Sequence, residues 1–238
     1  MNKILLSFDT DWAPDFVIEK IVNTLIAKNI KSTWFITHQS PMIDKMKKNT
    51  ELFEIGLHPN FYPCSDHGNT EENILTNIQK LCPEATSIRM HGLYQNSRLL
   101  NKIPDILPNI KVDVSLYLPQ LKEIEAFYYY TENLKKLKRI PFVWEDDMEF
   151  LITQNWSLDK FSKNKGFTIL NFHPIHVYLN SSNSNNYNKV KKKYSSIRDV
   201  PEYFLNQFVS KNEGSGSMFD KCIEYLKDHK SYKINEVT

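Results

Sequence analysis

The chain has 238 residues, 41% hydrophobic and 24% charged, the balance of a globular protein able to bury a sizeable core. A formal net charge of +2 gives no electrostatic reason for a nucleic-acid partner, and no apolar run approaches the ~20 residues of a membrane span. Cys64, Cys82 and Cys222 are an odd set without metal-site spacing and read as reduced thiols. The segment Met1 to Asp11 is too short and too quickly acidic for a secretory signal, so the expected compartment is the cytoplasm.

Along the chain, strand-length apolar runs alternate with helical patterns, the grammar of βα units. The first strand is expected at Lys3–Asp9 and the first helix at Pro14–Lys28, where Pro14 suits an opening turn and Phe16, Val17, Ile21, Val22, Leu25 and Ile26 recur at helical spacing. A strand at Ser32–Thr37, a helix at Met42–Lys48, a strand at Glu54–His58 and a helix at Thr70–Leu81 follow. Next come a strand at Ser87–His91, a helix at Ser97–Leu107, and strands at Val112–Leu116, Arg139–Trp144 and Phe167–Phe172. Helices at Val200–Val209 and Ser217–Lys227 and an eighth strand at Tyr232–Ile234 complete the pattern. Asn180 to Arg198, rich in Asn, Ser and Lys, is expected to be a long polar loop, an insertion at about 178–198 with its Lys191–Lys193 run in solvent. The expectation is an α/β chain in one domain over 1–238 on a mainly parallel sheet, whose site gathers at the carboxyl ends of the strands.

Those ends carry chemistry. Residues two apart on a strand share a face, so Asp9 and Asp11 converge on one point, as do Arg89 and His91. His58 ends the third strand, His67 lies in the loop before the helix that Thr70 caps, and His173 closes the strand beginning at Phe167. Any one of these residues could be structural. Successive strands ending in Asp, His, Arg and His are harder to ascribe to a bare core.

The order resembles the polysaccharide deacetylase family (NodB-homology domain, carbohydrate esterase family 4), in a branch with D-x-D and E-I-G-x-H-P motifs. Ser7-Phe8-Asp9-Thr10-Asp11 resembles its opening motif, Lys31 to Ile36 its second strand, and Glu54-Ile55-Gly56-Leu57-His58 its E-I-G-x-H. Ser87-Ile88-Arg89 resembles its arginine strand, Ile169 to His173 its closing hydrophobic-x-x-His, and Gly214 to Leu226 its final helix. The resemblance implies a distorted, mainly parallel, seven- to eight-stranded TIM-like (β/α) barrel. It implies a hydrolase of the N-acetyl amide of an amino sugar, with one divalent ion, zinc above all, though cobalt, nickel or manganese would fit.

By the same resemblance Asp9 matches the catalytic base, Arg89 its charge partner, and His173 the acid that protonates the leaving amine. The metal would rest on Asp11, in place of the usual neighbour of the base, and on His58. The usual second histidine position is Tyr62, so His67 is the first substitute and His91 the second. The acid orienting His173 is either Asp113 or a member of the Trp144-Glu145-Asp146-Asp147 cluster. Trp12, Asn60, Tyr94, Trp144, Asp146 and His176 are candidate substrate contacts, with Phe61 and Tyr62 as further aromatics near strand ends. A cytoplasmic member would meet soluble or lipid-linked sugar precursors of surface polysaccharides. Two alternatives stand beside this reading: hydrolysis of a small non-sugar amide or cyclic imide on the same fold, and a catalytically inactive barrel that binds carbohydrate.

Overall fold

A computed structural model describes residues 3–237. Strand β1 (Lys3–Asp9) is buried at every position after Lys3, as a strand covered on both faces requires. It pairs in parallel with β2 (Ser32–Ile36) on one side and β9 (Phe167–Phe172) on the other. From β2 the parallel sheet continues through β3 (Phe53–Leu57), the two-residue β4 (Ser87–Ile88) and β5 (Val112–Tyr117) to β7 (Lys136–Phe142). The chain then passes through Val143 into β8 (Trp144–Glu145), which pairs with β9. One continuous stretch therefore hydrogen-bonds to β5 at its start and to β9 at its end, and this closes the ring. The result is the distorted, mainly parallel barrel.

Helices wrap the outside. Helix α1 (Asp15–Ala27) buries Val17, Ile18, Ile21, Val22 and Leu25 in one stripe. Ser40 caps α2 (Pro41–Lys47), Thr70 caps α3 (Glu71–Gln79) and Asn96 caps α4 (Ser97–Ile106), each side chain accepting a backbone N–H of the first turn. Inside the ring Gly56 is required: a Cβ there would lie 2.6 Å from Ser87 Oγ and 2.7 Å from the Phe35 ring.

Several expectations are corrected. The run after Leu116 is followed by an antiparallel edge strand, β6 (Phe127–Tyr130), paired to β7. No local pattern marked it, because its side chains are mostly exposed and do not alternate. Arg139–Trp144 divides at Val143 into β7 and β8. Beyond α5 (Asp146–Ile152) and the buried α6 (Pro174–Leu179), the expected polar loop contains helix α7 (Asn185–Lys193), anchored by the fully buried Val190 and by Tyr187 against the His176 ring. Val200–Val209 shortens to α8 (Glu202–Leu205) and a 3-10 turn, ahead of α9 (Ser215–Lys227). Tyr232–Ile234 is not a strand; Ile234–Glu236 forms a 3-10 turn at the barrel floor. There the Ile234 N–H donates to Thr33 Oγ1 and the Asn235 N–H to Glu54 Oε2. No helix among the described residues is long and apolar enough to cross a membrane.

Candidate active site

At the carboxyl ends of the parallel strands, three ligand-type atoms form a small triangle. Asp11 Oδ1 stands 3.2 Å from His58 Nε2 and 3.1 Å from His91 Nδ1, and the two histidine nitrogens are 3.4 Å apart. Donors ~2.0 Å from a tetrahedral ion lie about 3.3 Å from one another, so this triangle has the dimensions of one face of a zinc coordination shell. Two imidazoles and a carboxylate are also the right chemistry for zinc or a neighbouring transition ion. His58 hydrogen-bonds through Nδ1 to the Arg89 carbonyl at 2.6 Å, which assigns the proton to Nδ1 and turns the Nε2 lone pair inward.

Asp11 does not reach the triangle by strand alternation. It lies beyond β1 with φ of 40°, followed by Trp12 at 54°, both in the left-handed region that non-glycine residues seldom adopt. Such backbone is kept where surrounding structure enforces it. Burial by itself would raise the Asp11 pKa, but the charge of His91 and the His58 and His91 imidazoles beside it hold it well below the ordinary carboxylate range. His91 lies likewise outside the strand that was expected to carry it, in a 3-10 turn at His91–Leu93.

Two further groups flank the triangle. On one side Asp9, at the end of β1, is buried against Arg89, whose Nη1 donates to Oδ1 at 2.9 Å. Asp9 Oδ2 is 3.7 Å from His58 Nε2. The fully buried Arg89 guanidinium lies between the Phe35 and Phe142 rings, with Nε on the Val114 carbonyl and Nη2 on Ser7 Oγ. On the other side His173 Nε2 is 3.5 Å from Asp11 Oδ2, while its Nδ1 is 2.7 Å from Asp146 Oδ1. Burial opposes a charge on His173, but Asp146, Asp147 and Asp11 raise its pKa well above the usual imidazole value. Burial would raise Asp146 in turn, and the His173 charge and hydrogen bond bring it down. Between the flanking groups opens a cleft of about 180 Å³, walled also by Met90, Leu93, Glu145, Asp147 and Met148.

The profile of a family described as "WbmS-like: Polysaccharide deacetylase" matches residues 6–191. The chain belongs to this family. Its members are hydrolases acting on amide bonds, and so is this enzyme. Among solved structures, a Bordetella bronchiseptica protein described as a polysaccharide deacetylase involved in O-antigen biosynthesis is 28% identical, with a TM-score of 0.81 over 93% of this chain and 90% of that one. Peptidoglycan deacetylase PdaC from Bacillus subtilis shares the fold at 13% identity, with a TM-score of 0.50 over 99% of this chain and 89% of that one. No curated protein matches the chain.

Some expected residues of this deacetylase stand elsewhere. His67 is not brought to the triangle: Nδ1 accepts the Asn60 N–H at 3.0 Å and Nε2 lies 2.6 Å from the Thr37 carbonyl, so both nitrogens are spent on backbone. Asp113 is far from His173 in partnership, being bound to Arg139 Nε at 2.6 Å and to the Ser115 N–H and hydroxyl. Asp146, expected among the substrate contacts, is the carboxylate that meets His173. Trp144 is buried between Trp156 and Phe172 and donates Nε1 to Glu149, which makes it a packing residue. His176 is buried too, with Nδ1 beside Ser181 Oγ, and burial pushes its pKa down to about 4. Asn60 closes its own loop through the Tyr62 N–H. Trp12 and Tyr94 remain on the rim, Trp12 edge-on to His91 and tied to Asp66, Tyr94 stacked on Phe61.

One residue escaped the sequence reading altogether. Asn171 is fully buried and touches both Asp9 and Glu145. Its signal was available: it lies two residues before His173, and so on the same face of the strand's end.

Proposed function

We propose that the protein is a metal-dependent N-deacetylase, cleaving the acetamido group of an amino sugar in a cytoplasmic precursor of a surface polysaccharide. The observation that carries this reading is the ligand triangle of Asp11, His58 and His91, flanked by a salt-bridged carboxylate on one side and a carboxylate-bound histidine on the other. The involvement of the Bordetella protein in O-antigen biosynthesis supports the substrate class.

Asp11, His58 and His91 would hold a divalent ion, zinc above all and otherwise cobalt, nickel or manganese, which would supply a water of lowered pKa and an electrostatic partner for the oxyanion. Asp9 takes the proton of the attacking water at Oδ2, while Arg89 pairs with Oδ1. His173 carries a proton on Nε2 and delivers it to the departing amine, which is otherwise a very poor leaving group; Asp146 holds the ring in place through Nδ1. Trp12, Tyr62 and Tyr94, aromatic faces at the rim, suit stacking on a sugar ring.

The test is acetate release from N-acetylated sugar nucleotides and oligosaccharides by chelated protein, with and without added zinc. Release restored by zinc is the expected result. Zinc-independent cleavage of a small amide or imide, with the sugars untouched, would replace this reading by the non-sugar alternative.

A further inference from the structure

We propose that Asn171 and Glu145 are a positioning pair for Asp9: the Asn171 amide orients the carboxylate, and Glu145 steadies that amide by accepting its second hydrogen. The proposal rests on the reading of Asp9 as the base.

An asparagine amide has two donor hydrogens and an oxygen with two lone pairs. At Asn171 all are used. Its Oδ1 accepts from Arg89 Nη1 and from Ser7 Oγ, the latter at 3.1 Å. Its Nδ2 donates to Asp9 Oδ2 at 2.8 Å and to Glu145 Oε1 at 2.9 Å. The β1–β9 register, which sets Ser7 beside Asn171, brings these groups together. The two ends of the amide are not interchangeable here. Turned over, the oxygen would face two carboxyl groups and the NH2 would face a guanidinium, so the surrounding chemistry selects one orientation.

The consequence falls on Asp9. Each of its oxygens has one strong anchor, Arg89 on Oδ1 and Asn171 on Oδ2, and two anchors define the plane of the carboxylate. With Arg89 alone the group could pivot about its last bond. Oδ2 is the oxygen turned towards the triangle, so Asn171 sets the angle at which the base is presented to its water.

Glu145 completes the arrangement by giving the second Nδ2 hydrogen a buried acceptor at the end of β8. Without it, a buried N–H would lose its partner, and the amide would shift away from Asp9 to recover one. A carboxyl oxygen accepts this hydrogen whether or not the group carries a proton. The role of Glu145 is therefore that of an acceptor and not of a charge, although burial and Asp147 raise its pKa to about 8.

Zinc-loaded Asn171→Ala, Glu145→Met, Glu145→Gln and the double variant Asn171→Ala/Glu145→Met test the pair. Misplacing a catalytic group by about an ångström costs on the order of 10²-fold, so Asn171→Ala should lose roughly 10- to 100-fold in kcat with KM and bound zinc unchanged. Glu145→Met should lose less, Glu145→Gln, which keeps an acceptor oxygen, should lose less than Glu145→Met, and the double variant should be no worse than Asn171→Ala. Wild-type kcat in Asn171→Ala, losses that multiply in the double variant, or Glu145→Gln as impaired as Glu145→Met would each overturn the pair. Crystal structures provide a readout independent of substrate: Asp9 should rotate in Asn171→Ala, and an unmoved carboxylate would refute the proposal. Absence of acetate release by the wild type would defeat the deacetylase reading alone, leaving the pair to be judged by those structures.

Discussion

Asp146→Asn preserves shape and removes one charge at the most demanding contact of the site. The Asp146 carboxylate is fully buried and accepts three hydrogen bonds, from His173 Nδ1 at 2.7 Å, from the His173 N–H at 3.0 Å and from Ser215 Oγ at 2.6 Å. In asparagine one of the two terminal atoms becomes a donor. If the NH2 faces Nδ1, the ring must present a lone pair there and carry its proton on Nε2 as a neutral imidazole, a far weaker acid than imidazolium. If it faces the other way, it meets the His173 N–H head-on. General acid catalysis contributes about 10²–10⁴-fold, so a ring that no longer carries the acidic proton should lower kcat by about 10²- to 10⁴-fold. The assay is acetate release at pH 7 by zinc-loaded protein, with metal content measured in parallel and expected to be unchanged. Asp113→Asn is the control, since Asp113 serves Arg139 and Ser115. An Asp146→Asn enzyme within about 3-fold of wild type, or an equal loss in Asp113→Asn, would refute the assignment.

The metal assignment separates two histidines: His91→Ala should lower zinc affinity by at least about 10-fold and His67→Ala should leave it intact, measured by competition with a chromophoric chelator, and the opposite pattern would exchange their roles. Arg89→Met leaves Asp9 buried without its cation, so urea unfolding should show a loss of about 3–5 kcal/mol, and a loss below about 1 kcal/mol would mean that the pair contributes little. Glu54, at the barrel floor, has its pKa raised by burial against hydrogen bonds from the Asn235 N–H and Thr33. The folded chain thus keeps this proton to higher pH than the unfolded chain. Its stabilising contribution is complete below the unfolded value of about 4.3 and is lost as pH rises through the folded value. Calorimetry should therefore find the Tm of Glu54→Gln gaining on wild type from pH 4 to pH 8, whereas parallel curves would contradict the sign.

The legible part of the site lay at strand ends. Asp9, His58 and His173 could be located because a buried parallel strand is an apolar run, and a polar residue closing it marks the edge where the chain leaves the barrel. Arg89, just beyond the short β4, was visible for the same reason. Choosing between His67 and His91 was beyond any local rule. Both sit in loops, and the decision depends on whether backbone groups of other loops, the Thr37 carbonyl and the Asn60 N–H, consume the ring nitrogens first. The same holds for Asp113 and Asp146. Each is an acid on or after a strand, but Asp113 finds Arg139 as its cation while Asp146 finds His173.

By itself the sequence determined the order of βα units, the closing residues of the strands and the apolar helix faces, because period, capping and burial are properties of short stretches of chain. Only the tertiary structure decided how the ring closes through Val143, that a polar stretch around Val190 becomes helix, and which imidazoles and carboxylates meet. Those outcomes depend on contacts between segments as far apart as Asp9 and Asn171, and such contacts leave no trace in the pattern of either segment alone.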